Sequence, residues 1–167
     1  MEFSDYKIEF EQLDEENFEE VKKIDRSDIS LDFVDSIDHI MELNRYGLEH
    51  NCIGHTFAIK TDGRYIGVIL IGEAIEWKTD PPEMKNEPFY RLMGFIIDKD
   101  YRGKGIGSFV LERAIEKCCE NFGIRPIALC CHKDNIKAEK FYLSHGFRKT
   151  GYMEGNDYYF LRYPDKA

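Results

Sequence analysis

The run Phe95-Ile96-Ile97-Asp98-Lys99-Asp100-Tyr101-Arg102-Gly103-Lys104-Gly105-Ile106-Gly107-Ser108 constrains the fold more than any other stretch. It passes from an apolar strand through a basic, glycine-rich turn into an amphipathic helix. Gly103, Gly105 and Gly107 let the backbone approach a ligand closely and adopt positive φ, which a Cβ resists. The helix that follows offers unpaired N-terminal N–H groups and the positive end of its dipole, and Arg102 and Lys104 add full charges. A pyrophosphate suits such a place.

The elements on either side read in order. Tyr6–Phe10 alternates as a half-buried strand, and Asp14 can cap a helix running to about Arg26 with Phe18, Val21 and Ile24 inward. A second helix is predicted from about Asp32 to Tyr46, with Gly47 as its stop. Thr56–Lys60 and Tyr65–Ile71 form a hairpin around Asp62-Gly63, the second strand reaching as far as Trp77, and Lys78–Pro88 is a proline-bearing loop. Tyr90–Asp98 feeds the glycine-rich turn, a helix spans Ile106–Phe122, and the apolar run Ile127–Cys131 completes a βαβ unit. A helix over Ile136–Ser144 and a hairpin of Phe147–Met153 with Tyr158–Tyr163 across Glu154-Gly155-Asn156 close the chain. The order is β-α-α-β-β-β-α-β-α-β-β, a mixed α/β (α+β) fold, and 167 residues make one domain over 1–167.

Charge and cysteine usage exclude several roles. Residues 1–42 carry 15 acidic and 4 basic side chains, a net of −11, whereas the remainder, with 17 acidic and 19 basic, is at +2. An overall −9 argues against a nucleic-acid partner, and an acidic region beside a site draws cations. No apolar run reaches the roughly 20 residues of a membrane span, and the acidic start MEFSDYKIEFEQ does not resemble a leader, so a soluble, cytoplasmic protein with no membrane partner is expected. Five cysteines in no metal-binding spacing read as reduced, packed thiols, and no metal is expected.

Two common phosphate motifs fail at the central turn. Lys104 is followed by Gly105 rather than by Ser or Thr, and Ser108 stands where a dinucleotide fingerprint needs glycine. Arg102-Gly103-Lys104-Gly105-Ile106-Gly107 instead resembles the R/Q-x-x-G-x-G/A signature of the GNAT superfamily of acyl-CoA N-acyltransferases. Downstream, Asn135-Ile136-Lys137-Ala138-Glu139-Lys140-Phe141-Tyr142-Leu143-Ser144-His145-Gly146-Phe147 is similar to that family's N-x-x-A-x-x-F-Y-x-x-x-G-F. The resemblance is close over residues 90 to 150 and holds only in outline over the first 50.

The resemblance implies a twisted, mostly antiparallel sheet of about seven strands with one splayed parallel pair, flanked by about four helices. It implies acetyl-CoA as co-substrate, with Arg102, Gly103, Lys104, Gly105, Ile106, Gly107 and Ser108 wrapping the pyrophosphate. Ile96 and Ile97 would offer main-chain groups to the pantetheine arm where their strand leaves Ile127–Cys131. Asn135, Ala138 and Tyr142 would contact the cofactor, and Tyr142 would protonate the departing thiolate; outside this motif Tyr142 would be an ordinary helix aromatic. The reaction needs a base for the attacking amine. Tyr90–Phe95 offers no acid, so Glu73 and Glu76 are the nearest candidates by chain position, with plain solvation as the other reading of both.

The acceptor expected from the acidic front is a small cationic amine such as a polyamine or an aminoglycoside; equally, those acids could simply meet water. A protein N-terminus or lysine, or a CoA-binding sensor without turnover, are the alternatives. Whether the protein is a homodimer is open.

Overall fold

The computed structural model describes residues 6–164. Seven strands form one sheet in the order β1-β2-β3-β4-β5-β7-β6. They are β1 (Glu9–Gln12), β2 (Gly54–Thr61), β3 (Arg64–Glu73), β4 (Tyr90–Ile97), β5 (Ile127–His132), β6 (Arg148–Glu154) and β7 (Asp157–Arg162). The helices are α1 (Phe18–Val21), α2 (Ile37–Glu49), α3 (Ile106–Phe122) and α4 (Ile136–Ser144). All neighbours pair antiparallel except β4 and β5. This is the mixed architecture and element order expected from the sequence.

Burial on both faces fixes the layers. Along β3, Ile69 and Ile71 point to one face, where Ile106, Val110, Leu111 and Ala114 of α3 cover them. Val68 and Leu70 point to the other, under Ile37, Ile40 and Met41 of α2 and Phe18 and Val21 of α1. Strand alternation thus divides one apolar run between two cores. The hairpin turn behaves as its residues require: Asp62 and Gly63 both have positive φ, 48° and 77°, the geometry a two-residue connection demands.

The acidic front departs from the predicted boundaries. Asp14 does organise the entry, its carboxylate accepting from the N–H groups of Glu16 and Asn17, and Phe18, Val21 and Ile24 are buried as their spacing predicts. Regular helix nevertheless ends at Val21, because the next N–H groups, of Lys23 and Ile24, turn back to carbonyls three residues earlier. The Asp25 N–H then donates to Asp98 Oδ2, and Arg26 reaches the carbonyls of Val34 and Asp35. The second helix starts later than predicted, at an N-cap Ser36 whose hydroxyl accepts from the His39 N–H, and it runs through Gly47 to Glu49. β3 stops at Glu73, short of Trp77.

Candidate active site

The glycine-rich turn is built on a buried acid. Asp98, fully buried at the end of β4, accepts from the Asp100 N–H at 3.0 Å and the Asp25 N–H at 2.9 Å, so it shapes the turn Lys99–Tyr101 and fastens the acidic front to it. Gly103 and Gly105 take φ of +75° and +87°, as expected. Gly107 does not; it lies in the first turn of α3 with a helical backbone. Gly105 is the N-cap and supplies no side-chain cap, and the first turn holds no acid. The first N–H groups of a 17-residue helix are therefore left for an anion, and these residues fit the pyrophosphate of acetyl-CoA.

The two cations of the turn have structural partners. Arg102 donates from Nε to the Ile97 carbonyl at 2.8 Å and pairs with Asp28, and its buried Nη2 has no partner among the described residues. Lys104 Nζ donates to the Asp100 carbonyl at 3.2 Å. Ser108 Oγ lies 3.0 Å from His145 Nε2, whose Nδ1 is 2.9 Å from Glu112, and Arg162 grips that carboxylate with two hydrogen bonds of 2.9 and 3.0 Å. Burial would raise the Glu112 carboxyl, but the Arg162 and His145 contacts outweigh it and hold it below the usual range. The network locks α3, α4 and β7 together behind the turn.

The second half of the site is a gap in the sheet. β4 and β5 pair only at Tyr90–Ile127, Arg91–Ala128 and Leu92–Leu129, then separate. On its other side, β4 pairs Gly94 with Leu70 and Leu92 with Ile71, so Met93 is an extra residue that bends the strand away from β5. A cavity of about 280 Å³ opens there. Its walls include Met93 and Phe95 of β4, Cys130 and Cys131 of β5, and Asn135 and Tyr142 of the α4 segment.

Asn135 caps α4 by accepting from the Ala138 N–H at 3.3 Å, and Ala138 also lines the cavity. Tyr142 packs against Phe141 and Phe147, and its hydroxyl has no hydrogen-bond partner among the described residues. Burial first, and the neighbouring Cys131 second, push its pKa well up, so it is protonated at neutral pH and free to donate. Burial likewise raises Cys130 to about 12 and Cys131 to about 11, which leaves both as inert thiols.

Not every anticipated residue meets this cavity. Ile96 and Ile97 lie on the splayed half of β4, but their side chains are buried in the two cores and line no part of it. Glu73 lines an adjoining cavity of about 310 Å³, which shares Leu43, Trp77, Arg91 and Met93 with the first. Glu76 is exposed and lines neither. The acids in the wall with Tyr142 are Asp32, Asp35, Glu154 and Asp157. Asp32 and Asp35 belong to the loop before α2, in the acidic front whose summed charge was visible. Glu154 and Asp157 flank the β6–β7 turn, where sequence gave only a turn signal.

Arg91 was also missed. It is 2% exposed, lies 3.0 Å from Asp80 and stacks on the Trp77 ring at 3.7 Å, forming the partition between the two cavities.

A model of the acetyltransferase (GNAT) family matches residues 9–147. The chain belongs to that family. The match covers the glycine-rich turn, the splayed strand pair and Tyr142 together. Among curated relatives, a probable spermine N(1)-acetyltransferase of Bacillus subtilis subsp. natto is 32% identical over 95 residues, 57% of this chain and 60% of the relative. The chain thus spans about three-fifths of the length of the curated relatives it matches first. The fold agrees with solved structures at lower identity. PH1933 from Pyrococcus horikoshii is 18% identical, with a TM-score of 0.68 over 96% of this chain and 99% of that one. The PaiA N-acetyltransferase from Thermoplasma acidophilum, in complex with coenzyme A, is 18% identical, with a TM-score of 0.65 over 95% and 99%. No helix among the described residues is long and apolar enough to cross a membrane.

Proposed function

We propose that this GNAT member transfers the acetyl group of acetyl-CoA to a small polycationic amine of the polyamine kind, by direct attack when both substrates are bound. The observation that carries the reading is the wall of the cavity at the β4–β5 gap. It combines four acids with the protonated Tyr142 hydroxyl, which has no hydrogen-bond partner among the described residues. The similarity to a probable spermine acetyltransferase supports the same acceptor class. Five free thiols and a metabolite substrate suit a cytoplasmic setting.

The residues divide the work by position. Gly103 to Ser108 bind the pyrophosphate with backbone N–H groups at the start of α3, and the lysine and arginine of the turn add positive field. Asn135 and Ala138 hold the arm of the co-substrate at the gap, placing the thioester carbonyl beside the acids. Asp32, Asp35 and Glu154 attract the acceptor and neutralise its distal ammonium groups. Tyr142 gives its proton to the thiolate that leaves as the amide C–N bond forms. Alignment of two bound substrates supplies several kcal/mol of the rate, by the effective-molarity argument.

Thiol release from acetyl-CoA, measured with spermidine, an aminoglycoside, amino acids and short peptides, tests the reading. Spermidine or spermine should give the highest kcat/KM. Preference for neutral or acidic acceptors would end the cationic assignment, preference for peptides would favour protein acetylation, and no turnover with tight CoA binding would favour a sensor.

A further inference from the structure

Asp157 stands apart from the other acids of the first cavity. It opens β7 directly opposite His132 of β5 and Glu154 of β6, so its backbone is fixed by both neighbouring strands, at the end of β5 that has already separated from β4. It is half-buried, whereas Asp32, Asp35 and Glu154 are exposed. Its carboxylate has no hydrogen bond or ion pair among the described residues, while Asp35 lies 3.7 Å from His39. Tyr142, approaching from α4, lines the same cavity of about 280 Å³.

We propose that Asp157 is the proton acceptor for the attacking amine, a role that rests on the amine-acetylation reading above. An alkyl ammonium of pKa about 10 carries its lone pair as an N–H bond at neutral pH and cannot attack a carbonyl until that proton leaves. Asp157 takes it, directly or through one water. The freed nitrogen attacks the acetyl carbon, the C–S bond breaks, and Tyr142 protonates the sulfur. The second N–H proton leaves to solvent as the amide forms, Tyr142 is reprotonated from solvent, and Asp157 gives up its proton to solvent, which restores the enzyme. The sum is ammonium plus acetyl-CoA giving amide, CoA thiol and one proton.

The surroundings of Asp157 favour basicity over pairing. Burial raises its pKa most, Glu154 and Asp35 raise it further, and His132 opposes them. The thiols of Cys130 and Cys131 are uncharged at neutral pH and contribute no counter-ion. Its neighbours are used otherwise. The His132 Nδ1 accepts from the Asp134 N–H at 3.1 Å and its ring lies against Phe33.

The test is a pH profile of kcat for Asp157→Asn and Asp157→Glu beside the unmodified protein, with the best amine acceptor and with acetyl-CoA affinity measured by calorimetry. A base role predicts that Asp157→Asn loses about 100-fold or more in kcat at pH 7. Its rate should then climb about tenfold per pH unit toward the acceptor's own pKa of about 10, as solvent supplies the free amine. Asp157→Glu should recover part of the rate at neutral pH, and acetyl-CoA affinity should be unchanged.

A rise in KM alone, with kcat and the pH profile unmoved, overturns the proton role and leaves only cation attraction. Loss of kcat in Glu73→Gln with Asp157→Asn unaffected also overturns it. Should Asp157→Asn fail to fold, the Asp157→Glu profile decides: an unaltered kcat and pH dependence there overturns the role. Absence of turnover with every amine in the unmodified protein overturns the amine reading itself, and this proposal with it.

Discussion

Replacing Asp80 by alanine should destabilise the protein more than any exposed ion pair could explain. Asp80 Oδ2 accepts from Arg91 Nη2 at 3.0 Å and from the Trp77 N–H at 2.9 Å, and Oδ1 accepts from the Tyr159 hydroxyl at 2.8 Å. The side chains of Arg91 and Asp80 are 2% and 4% exposed. Truncation removes three hydrogen bonds and leaves without its counter-ion a buried guanidinium whose Nη1 already lacks a partner among the described residues. Breaking a buried pair from one side costs about 3–5 kcal/mol. For a chain of this size that is a fall in Tm of about 10–15 °C.

Asp80→Ala, Arg91→Met and the double variant, compared by urea and thermal unfolding, measure the effect. The double variant should recover stability, because no charge is left uncompensated. The pH dependence carries a sign. Burial would raise the Asp80 carboxyl, but Arg91, the Trp77 N–H and Tyr159 hold it below the usual range. A folded pKa below the unfolded one gives stability that is present above about pH 4 and is lost as pH falls through the folded value. The unmodified and Asp80→Ala curves should therefore converge in acid. A loss below about 1 kcal/mol, the range of surface pairs, would refute the reasoning.

Tyr142→Phe keeps the ring contacts with Phe141 and Phe147 and removes only the hydroxyl. It should lower kcat by about 100-fold or more while acetyl-CoA affinity by calorimetry stays within about twofold; an unchanged kcat would remove Tyr142 from proton transfer. Gly105→Asp puts a Cβ at φ +87° and a negative charge at the start of α3. CoA binding should be abolished, and unchanged affinity would dismiss the turn as the pyrophosphate site. A Cβ at Gly94 would lie 2.8 Å from Ile40 Cδ1, so Gly94→Ala should cost about 1–3 kcal/mol. Adding Ile40→Val, which shortens the opposing side chain, should relieve part of that cost in urea unfolding.

How legible the molecule was in its sequence depended on the range of the forces involved. Asp62-Gly63 and the helix over Ile106–Phe122 are set by local backbone preferences, and both emerged where their residues placed them. The helix expected to Arg26 failed because Asp25 binds Asp98, far along the chain, and Arg26 folds onto the carbonyls of Val34 and Asp35 in the loop that follows. Local capping cannot report such contacts. Gly47 stayed inside α2 because a glycine cost of about 1 kcal/mol is small beside the burial of Ile37, Ile40 and Met41. The backbone of the glycine-rich turn, with positive φ at Gly103 and Gly105 and a helix starting at Ile106, was legible because glycine spacing is a local signal. The grouping of acids at the cavity was not, since Asp32, Asp35, Glu154 and Asp157 are scattered over 126 positions and converge only through sheet order.

The most direct test of the central claim is a ternary structure with CoA and spermidine. The sulfur is predicted between Met93–Phe95 and Cys130–Cys131, beside the Tyr142 hydroxyl, with one spermidine amine among Asp32, Asp35, Glu154 and Asp157. Spermidine seated instead in the cavity bounded by Glu73, or CoA bound away from the Gly103–Ser108 turn, would contradict the account.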